Sequence, residues 1–233
     1  MDYKEKLEKI KNLAGELAKY KGVSLGERVK AEPNVFFDTE NGPIVIGDDS
    51  IIRAGTVLRG PIWAGKNSRL GGEIEHSWIG NYTNKQHYGY LGHSYIGSWV
   101  NIGGGTSVSD LKNTYGAIKV KGEDTGQMKL GAIIGDYVKT AVNTSIFCGK
   151  VIGDSAHLYG MVTEDVPAFA SHVSPGNMYE LPIDLAIKIQ KAMSARRNVE
   201  FTKADEEEMR KLFAETQAGR DKAGVKKEKL SFL

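Results

Sequence analysis

The central part of this chain carries a hydrophobic repeat with a period of six residues. Aliphatic residues, often followed by glycine, recur from Ile44 to about Ala170, for example at Ile46-Gly47, Ile79-Gly80, Ile96-Gly97, Ile134-Gly135 and Ile152-Gly153. An α-helix has a period of 3.6 residues and a half-buried strand a period of two, so neither produces this pattern. A period of six is typical of a parallel β-helix, in which each of three flat faces contributes one short strand with one inward aliphatic side chain. The repeat therefore predicts a mainly β fold.

The repeat divides the chain into three segments. Residues 1–43 are predicted to form an amphipathic helix and a lead-in, because Tyr3, Leu7, Ile10, Ala14 and Leu17 lie on one helical stripe. Residues 44–176 form the β-helix, which the long polar loop 109–130 interrupts. Residues 177–233 are predicted to form helices, followed by a lysine-rich tail without fixed structure from residue 219 onward.

Composition and charge limit the class of partner and the compartment. The formal net charge is +2 with 26% charged residues, which does not indicate binding to nucleic acid or to an anionic membrane. The single cysteine, Cys148, excludes an internal disulfide and is compatible with a reducing compartment. The sequence has no apolar run of membrane-spanning length and no signal-peptide pattern. We therefore expect a soluble cytoplasmic protein.

A prism built from this repeat has no internal cavity, because inward aliphatic side chains fill its axis. A substrate site must then lie on its surface or between neighbouring subunits. Closed cyclic symmetry is the general expectation for a soluble homo-oligomer. We expect a homotrimer with grooves between parallel prisms, and we expect the three tryptophans, Trp63, Trp78 and Trp99, to pack at subunit contacts.

Polar and aromatic residues concentrate at one point of the repeat, in residues 84–93 (NKQHYGYLGH). They are followed by the glycine-rich turn 103–105 and by the polar run 109–113. A histidine can act as a general base near neutral pH, and a glycine-rich turn can offer free backbone N–H groups to an oxyanion. This combination indicates acyl transfer, with His87 as the candidate base.

Two motifs carry a resemblance to a known family. The stretches QHYGYLGHSYIGSWVNIGGGT and KLGAIIGDYVKT, preceded by DTENGPIVIGD, resemble the acetyltransferase half of the bifunctional GlcNAc-1-phosphate uridylyltransferase / glucosamine-1-phosphate acetyltransferase-like family. The resemblance covers roughly residues 17–173. It implies a left-handed parallel β-helix, a homotrimer and acetyl-CoA as cosubstrate, without a metal.

The resemblance also implies roles for individual residues. His87 matches the general base, and Gly104 matches the position whose backbone N–H polarises the thioester. Residues matching those that hold the sugar or its phosphate are Arg59, Tyr90, Asn101, Asp110 and Lys129. Contacts to acetyl-CoA are implied for Gly104, Lys139 and Lys150.

Three positions depart from the family pattern. Glu75 stands where the relatives have a lysine near the phosphate, and Asp110 where they have an asparagine beside the base. Leu111 stands where they have a tyrosine. A carboxylate near a phosphate is repulsive, so Glu75 argues against an unmodified glucosamine 1-phosphate site. If Asp110 lies beside His87, its charge should raise the pKa of the imidazole.

These observations lead to one function and two alternatives. The first is an N-acetyltransferase acting on an amino sugar or its phosphate. The first alternative is a trimeric ligand-binding scaffold without turnover. The second is a zinc enzyme similar to γ-class carbonic anhydrases, built from His76, His87 and His93. Residues 1–43 are too few for a nucleotide-binding domain. We therefore expect no uridylyl transfer, and a separate nucleotidyltransferase is a candidate partner.

Overall fold

The described chain, residues 1–228 and residue 230, folds as a parallel β-solenoid of about 8 turns with a few helices. In the computed structural model, each turn contributes short strands to three flat faces, which we call faces one, two and three. This confirms the predicted left-handed β-helix.

Parallel pairing defines the three faces. Face one contains β1 (Val23–Leu25), β4 (Ile44–Ile46), the second half of β6 (Val57–Ala64), the second half of β8 (Glu73–Ile79), β11 (Tyr95–Ile96), β15 (Ile133–Ile134) and β18 (Val151–Ile152). Face two contains β2 (Lys30–Ala31), β5 (Ile51–Ile52), β7 (Arg69–Leu70), β9 (Asn84–Lys85), β16 (Lys139–Thr140), β19 (His157–Leu158) and β21 (Ala170–Ser174). Face three contains β3 (Phe36–Asp38), the first halves of β6 and β8, β10 (Tyr90–Gly92), β12 (Ser107–Val108), β17 (Ser145–Ile146) and β20 (Met161–Val162).

The inward residues of the repeat stack in register along the axis. On face one, Ile79 pairs with Ile96, which pairs with Ile134, and all three are fully buried. Burial of each such side chain stabilises the fold by about 1.5–3 kcal/mol. The glycine after each aliphatic is required by close approach, since a Cβ on Gly80 would lie 2.6 Å from the Gly97 carbonyl carbon. Coil-to-coil crowding, more than conformational freedom, therefore selects glycine here.

The solenoid begins earlier than the repeat predicted. Strand β1 pairs in parallel with β4, β2 with β5, and β3 with β6. The stretch from Val23 to Asp38 is thus part of the prism and is not a lead-in. The six-residue period missed it because its inward residues are fewer and less buried: Val29, Val35 and Phe37 are only partly buried.

The N-terminal helix covers face one of its own prism. It comprises α1 (Tyr3–Lys11) and α2 (Leu13–Glu16), and Asp2 starts α1 with a capping box to Glu5. Their buried face packs against two stacked tryptophans, Trp63 and Trp78, whose ring centroids lie 5.1 Å apart. Both tryptophans therefore pack inside the subunit, and Trp99 likewise stacks on Tyr82 at 4.2 Å. That the three tryptophans also form subunit contacts stays a prediction.

The loop 109–130 folds back onto the same helix. It contains an antiparallel hairpin of β13 (Lys119–Val120) and β14 (Glu123–Asp124). Ile118 and Val120 are buried in the cluster beneath α1. The loop is therefore partly a structural cover and does not simply project into solvent.

Three helices follow β22 (Asn177–Glu180), which pairs antiparallel with β21: α3 (Ile183–Ala195), α4 (Lys203–Glu215) and α5 (Gln217–Lys222). Thr202 caps α4, as predicted. The prediction of a tail without structure is wrong for the start of that segment, since α5 is helical to Lys222 and the Lys226 N–H donates to the Met178 carbonyl. Residue 229 and residues 231–233 lie outside the described part of the chain.

No helix of the described part of the chain packs on face three. Face one is covered by α1 and α2, while α3 lies along face two. Exposed apolar side chains mark face three, namely Phe36, Phe147 and Met161. Across residues 1–228 and 230, no helix has the length and hydrophobicity needed to cross a membrane.

Candidate active site

His87 lies on an exposed corner between faces two and three, next to Gly104 of the following coil. A Cβ built on Gly104 would lie 3.6 Å from the His87 Cβ. The His87 side chain is exposed, and its Nε2 lies 3.4 Å from Gln86 Nε2. Within the described residues, the Gly104 N–H donates to no protein acceptor. An imidazole and a free N–H thus meet at one corner, as acyl transfer requires.

A buried lysine fixes this corner from inside the prism. Lys85 occupies an inward position beside Leu70, and only 2% of it is exposed. Its Nζ donates to the carbonyls of Gly71 and His87, each at 2.8 Å, and of Gly89 at 3.1 Å. Burial lowers the pKa of its ammonium to about 8. Lys85 therefore holds the backbone on both sides of the His87 corner.

A second polar cluster lies at the other edge of face three. Asp110 Oδ2 accepts hydrogen bonds from the Tyr90 hydroxyl at 2.8 Å and from His93 Nδ1 at 2.7 Å. Burial raises the pKa of the Asp110 carboxyl, but these two hydrogen bonds outweigh it and leave the pKa below its ordinary value. Burial, and then the Asp110 and Glu75 carboxylates, raise the pKa of Tyr90 well above its ordinary value.

This cluster corrects the expected position of Asp110. Its carboxylate lies against His93 and Tyr90, not beside His87. Gly92 makes this possible, because any Cβ there would overlap the Tyr90 hydroxyl that crosses face three toward Asp110. Asp110 and Tyr90 still share face three with the His87 corner.

The two cations that match phosphate-binding residues are both paired with carboxylates. Arg59 forms an ion pair with Glu73 and lies 4.0 Å from Asp38. The Lys129 Nζ lies 3.5 Å from Glu75 Oε1. Neither side chain offers a free positive charge on face three.

The remaining sequence-predicted residues lie elsewhere on the prism. Asn101 and Lys139 are neighbours on face two, where Asn101 accepts a hydrogen bond from Asn84 at 2.7 Å. Lys150 lines a cavity of about 940 Å³, and residues of α1, of the β13–β14 hairpin and of α5 line the same cavity. Within one subunit, the structure therefore brings together His87 with Gly104 and Tyr90 with Asp110, but not all of the matched residues.

The three-histidine zinc hypothesis has no matching geometry. His76 and His93 stack with ring centroids 4.7 Å apart, while His87 contacts Gln86 and Gly104 on another corner. In residues 1–228 and 230, no group of three His, Cys, Asp or Glu side chains could hold a metal ion.

Sequence reasoning gave no role to Lys85 or to the pairing of His93 with Asp110. A signal for Lys85 was present, because the period places it at an inward position where other coils carry aliphatic residues. No sequence signal indicated the His93 pairing, since it depends on the side chain of Tyr90 crossing the face.

The chain is similar in sequence to GlmU-type bifunctional proteins, and its structural neighbours are hexapeptide-repeat N-acyltransferases. No family model matches the chain. The chain is 32% identical over 152 residues to the bifunctional sugar-1-phosphate nucleotidylyltransferase/acetyltransferase of Sulfurisphaera tokodaii. That alignment covers 54% of this chain and 38% of the relative. It is 28% identical over 159 residues to the bifunctional protein GlmU of Thermotoga petrophila, covering 67% of this chain and 32% of the relative.

Two solved structures align with about three quarters of this chain. AntD, an N-acyltransferase from Bacillus cereus solved with dTDP and 3-hydroxybutyryl-CoA, aligns over 77% of this chain and 96% of its own, at 21% identity and a TM-score of 0.42. The polySia-specific acetyltransferase NeuO aligns over 76% and 96%, at 21% identity and a TM-score of 0.43. The resemblance that the motifs indicated is confirmed. The chain spans less than two fifths of the length of the two curated relatives named above.

Proposed function

We propose that this chain transfers an acetyl group from acetyl-CoA to the amino group of an amino sugar or amino-sugar phosphate. The observation that carries the proposal is the exposed His87 beside the free N–H of Gly104. The name of one relative supports it, a bifunctional sugar-1-phosphate nucleotidylyltransferase/acetyltransferase.

The chemistry needs few groups. The sugar nitrogen attacks the thioester carbonyl while His87 accepts its proton. The Gly104 N–H donates to the oxyanion that forms on the carbonyl oxygen. The C–S bond then breaks, and the CoA thiolate leaves and takes up the proton from His87. Tyr90 and Asp110, on the same face, would orient the acceptor.

The test is acetyl-CoA turnover with a panel of amino sugars and their phosphates, followed as release of free CoA thiol. Transfer to any amino sugar would support the proposal. Absence of transfer across the panel would favour the ligand-binding scaffold.

Gly104 offers a test of the oxyanion role. Gly104→Ala is expected to keep most of the activity, because an added Cβ meets nothing closer than 3.6 Å and the N–H remains. Gly104→Pro removes the N–H and is expected to lower kcat by about 10² to 10³, the loss typical of one oxyanion donor. Steady-state kinetics of both variants, with circular dichroism to confirm folding, make the comparison. Equal activity of the two variants would exclude the Gly104 N–H from the reaction.

We also propose that the prism assembles as a homotrimer through face three. Faces one and two are covered by helices, whereas Phe147 on face three is 45% exposed. Light scattering should therefore report about three times 25.5 kDa. Phe147→Asp should shift the protein toward monomer, because assembly would bury its charge.

The control for that variant is Tyr115→Asp, which places the same charge on the loop 109–130 at a residue that is 67% exposed. It should remain trimeric. A monomeric wild-type protein at micromolar concentration would contradict the assembly.

A further inference from the structure

A strongly basic cavity lies between face two and α3, outside the His87 corner. Its volume is about 550 Å³. Face two contributes Arg53, Arg69 and Lys139 to its walls, and the end of α3 contributes Arg196 and Arg197. Four guanidinium groups and one ammonium group thus line a single cavity.

The described residues leave most of this positive charge without an ion-pair partner. Arg53 pairs with Glu32 at 2.9 Å, while Arg69, Arg196 and Arg197 form no ion pair with any described side chain. Burial and the nearby charge of Arg53 lower the pKa of Arg69. Burial and the charges of Arg69 and Arg196 lower the pKa of Arg197. Like charges held together in this way are repulsive, and a bound anion would remove that repulsion.

Two further polar groups line the cavity. Lys139 donates to the carbonyls of Trp99 and Tyr137, and burial lowers its pKa to about 7. The buried Oδ1 of Asn84 has no hydrogen-bond partner among the described residues, while its Nδ2 donates to Asn101. Buried polar atoms are normally paired, so the Asn84 oxygen indicates a missing ligand.

The cavity also has an apolar wall. Ile189, Ala192 and Met193 of α3 line it together with the cationic groups. A single phosphate is satisfied by one or two arginines, so it would leave most of this charge unused. A nucleotide with two or more phosphate charges fits better, because its base can lie on the apolar wall while its phosphates contact the arginines.

The cavity is also connected to the proposed reacting centre. Gln86 lines the cavity, and its side-chain oxygen accepts a hydrogen bond from Arg53 Nη2 at 2.9 Å. The Nε2 of the same Gln86 side chain lies 3.4 Å from His87 Nε2. Arg59 and Lys129, the cations that match phosphate-binding positions, are instead paired with carboxylates on face three.

We infer that the cavity between face two and α3 binds the phosphates of a nucleotide-bearing substrate. The assignment to a substrate rests on the proposed function, whereas the nucleotide site itself does not. Two substrates carry this chemistry: an amino sugar attached to a nucleoside diphosphate, and the 3′,5′-bisphosphorylated adenosine of CoA.

Isothermal titration calorimetry at fixed ionic strength tests this inference with UDP, adenosine 3′,5′-bisphosphate and CoA, and with uridine as the ligand without phosphate. The double variant Arg196→Ala/Arg197→Ala should weaken binding of the phosphorylated ligands by about tenfold or more, since charge-assisted hydrogen bonds are lost. Arg210→Ala is the matched control, because that arginine pairs with Asp184 and Glu206 on the surface. It should bind as the wild type does.

The ligand series separates the two sources. Arginine-dependent binding of UDP assigns the cavity to the acceptor, and arginine-dependent binding of CoA and adenosine 3′,5′-bisphosphate assigns it to the cosubstrate. Unchanged binding in the double variant, or no binding of any ligand at millimolar concentration, would overturn the inference. So would a change in subunit assembly without a change in binding. Acetyl transfer that depends on His87 but not on these arginines would support the proposed function and contradict the nucleotide site. Arginine-dependent binding without acetyl transfer would support the nucleotide site and contradict the proposed function.

Discussion

His87→Ala is expected to lower acetyl transfer by about 10² to 10⁴, the usual loss for a general base. The fold should survive, because the side chain is exposed and its removal opens no cavity. The measurement is the initial rate of CoA release for both proteins.

Asp110→Asn is the comparison variant for His87→Ala. Because Asp110 bonds to His93 and Tyr90, its substitution should lower the initial rate less than the loss of His87 does. If His87→Ala keeps more than about a tenth of the wild-type rate, well short of the loss expected for a base, the mechanism is wrong.

Arg220→Ala is expected to lower the free energy of unfolding by about 3–5 kcal/mol, as the removal of one partner from a buried ion pair does. Only 1% of Arg220 is exposed, and its Nε lies 2.9 Å from Glu180. Its guanidinium also donates to the Phe213 carbonyl at 2.8 Å and lies 4.0 Å from the Phe213 ring centroid. The substitution would leave Glu180 and this carbonyl without their donor between the C-terminal helices and the last coil.

Chemical denaturation of Arg220→Ala and Arg210→Ala makes the comparison. Arg210 has two carboxylate partners but is exposed, so its loss should lower the free energy of unfolding far less than the loss of Arg220 does. Similar losses for the two variants would show that burial of Arg220 contributes little. A larger loss for Arg210→Ala would contradict the expectation outright.

The period of six was enough to predict the prism and its inward residues, because coil stacking follows directly from the sequence. Residues that pair on neighbouring strands of face three are separated in sequence by about one coil, as Glu73 and Tyr90 are. His87 and Gly104 have the same separation, so their contact is also a consequence of the repeat. The repeat did not reveal the first coil, from Val23 onward, because its inward positions are less apolar and less buried.

The side-chain partners at the site could not be read from the period. The sequence placed Asp110 in a polar run near the histidines, but only the structure shows that its carboxylate accepts from Tyr90 and His93. That choice depends on Gly92, which leaves room for the Tyr90 side chain to cross the face. The repeat determines the backbone position from which a side chain extends. Steric room and hydrogen-bond geometry determine the position of its polar atom.

The sequence by itself determined the prism, its inward ladder and the corner where His87 meets Gly104. The tertiary structure alone decided which faces are covered and where the free positive charge lies. Arg53 and Arg69 come from early coils, while Arg196 and Arg197 come from the end of α3, and they share a cavity only because that helix lies along face two. Coil stacking repeats the same local contacts and is therefore periodic in the sequence. Helix docking is not, since it depends on contacts between residues far apart in the chain that occur only once.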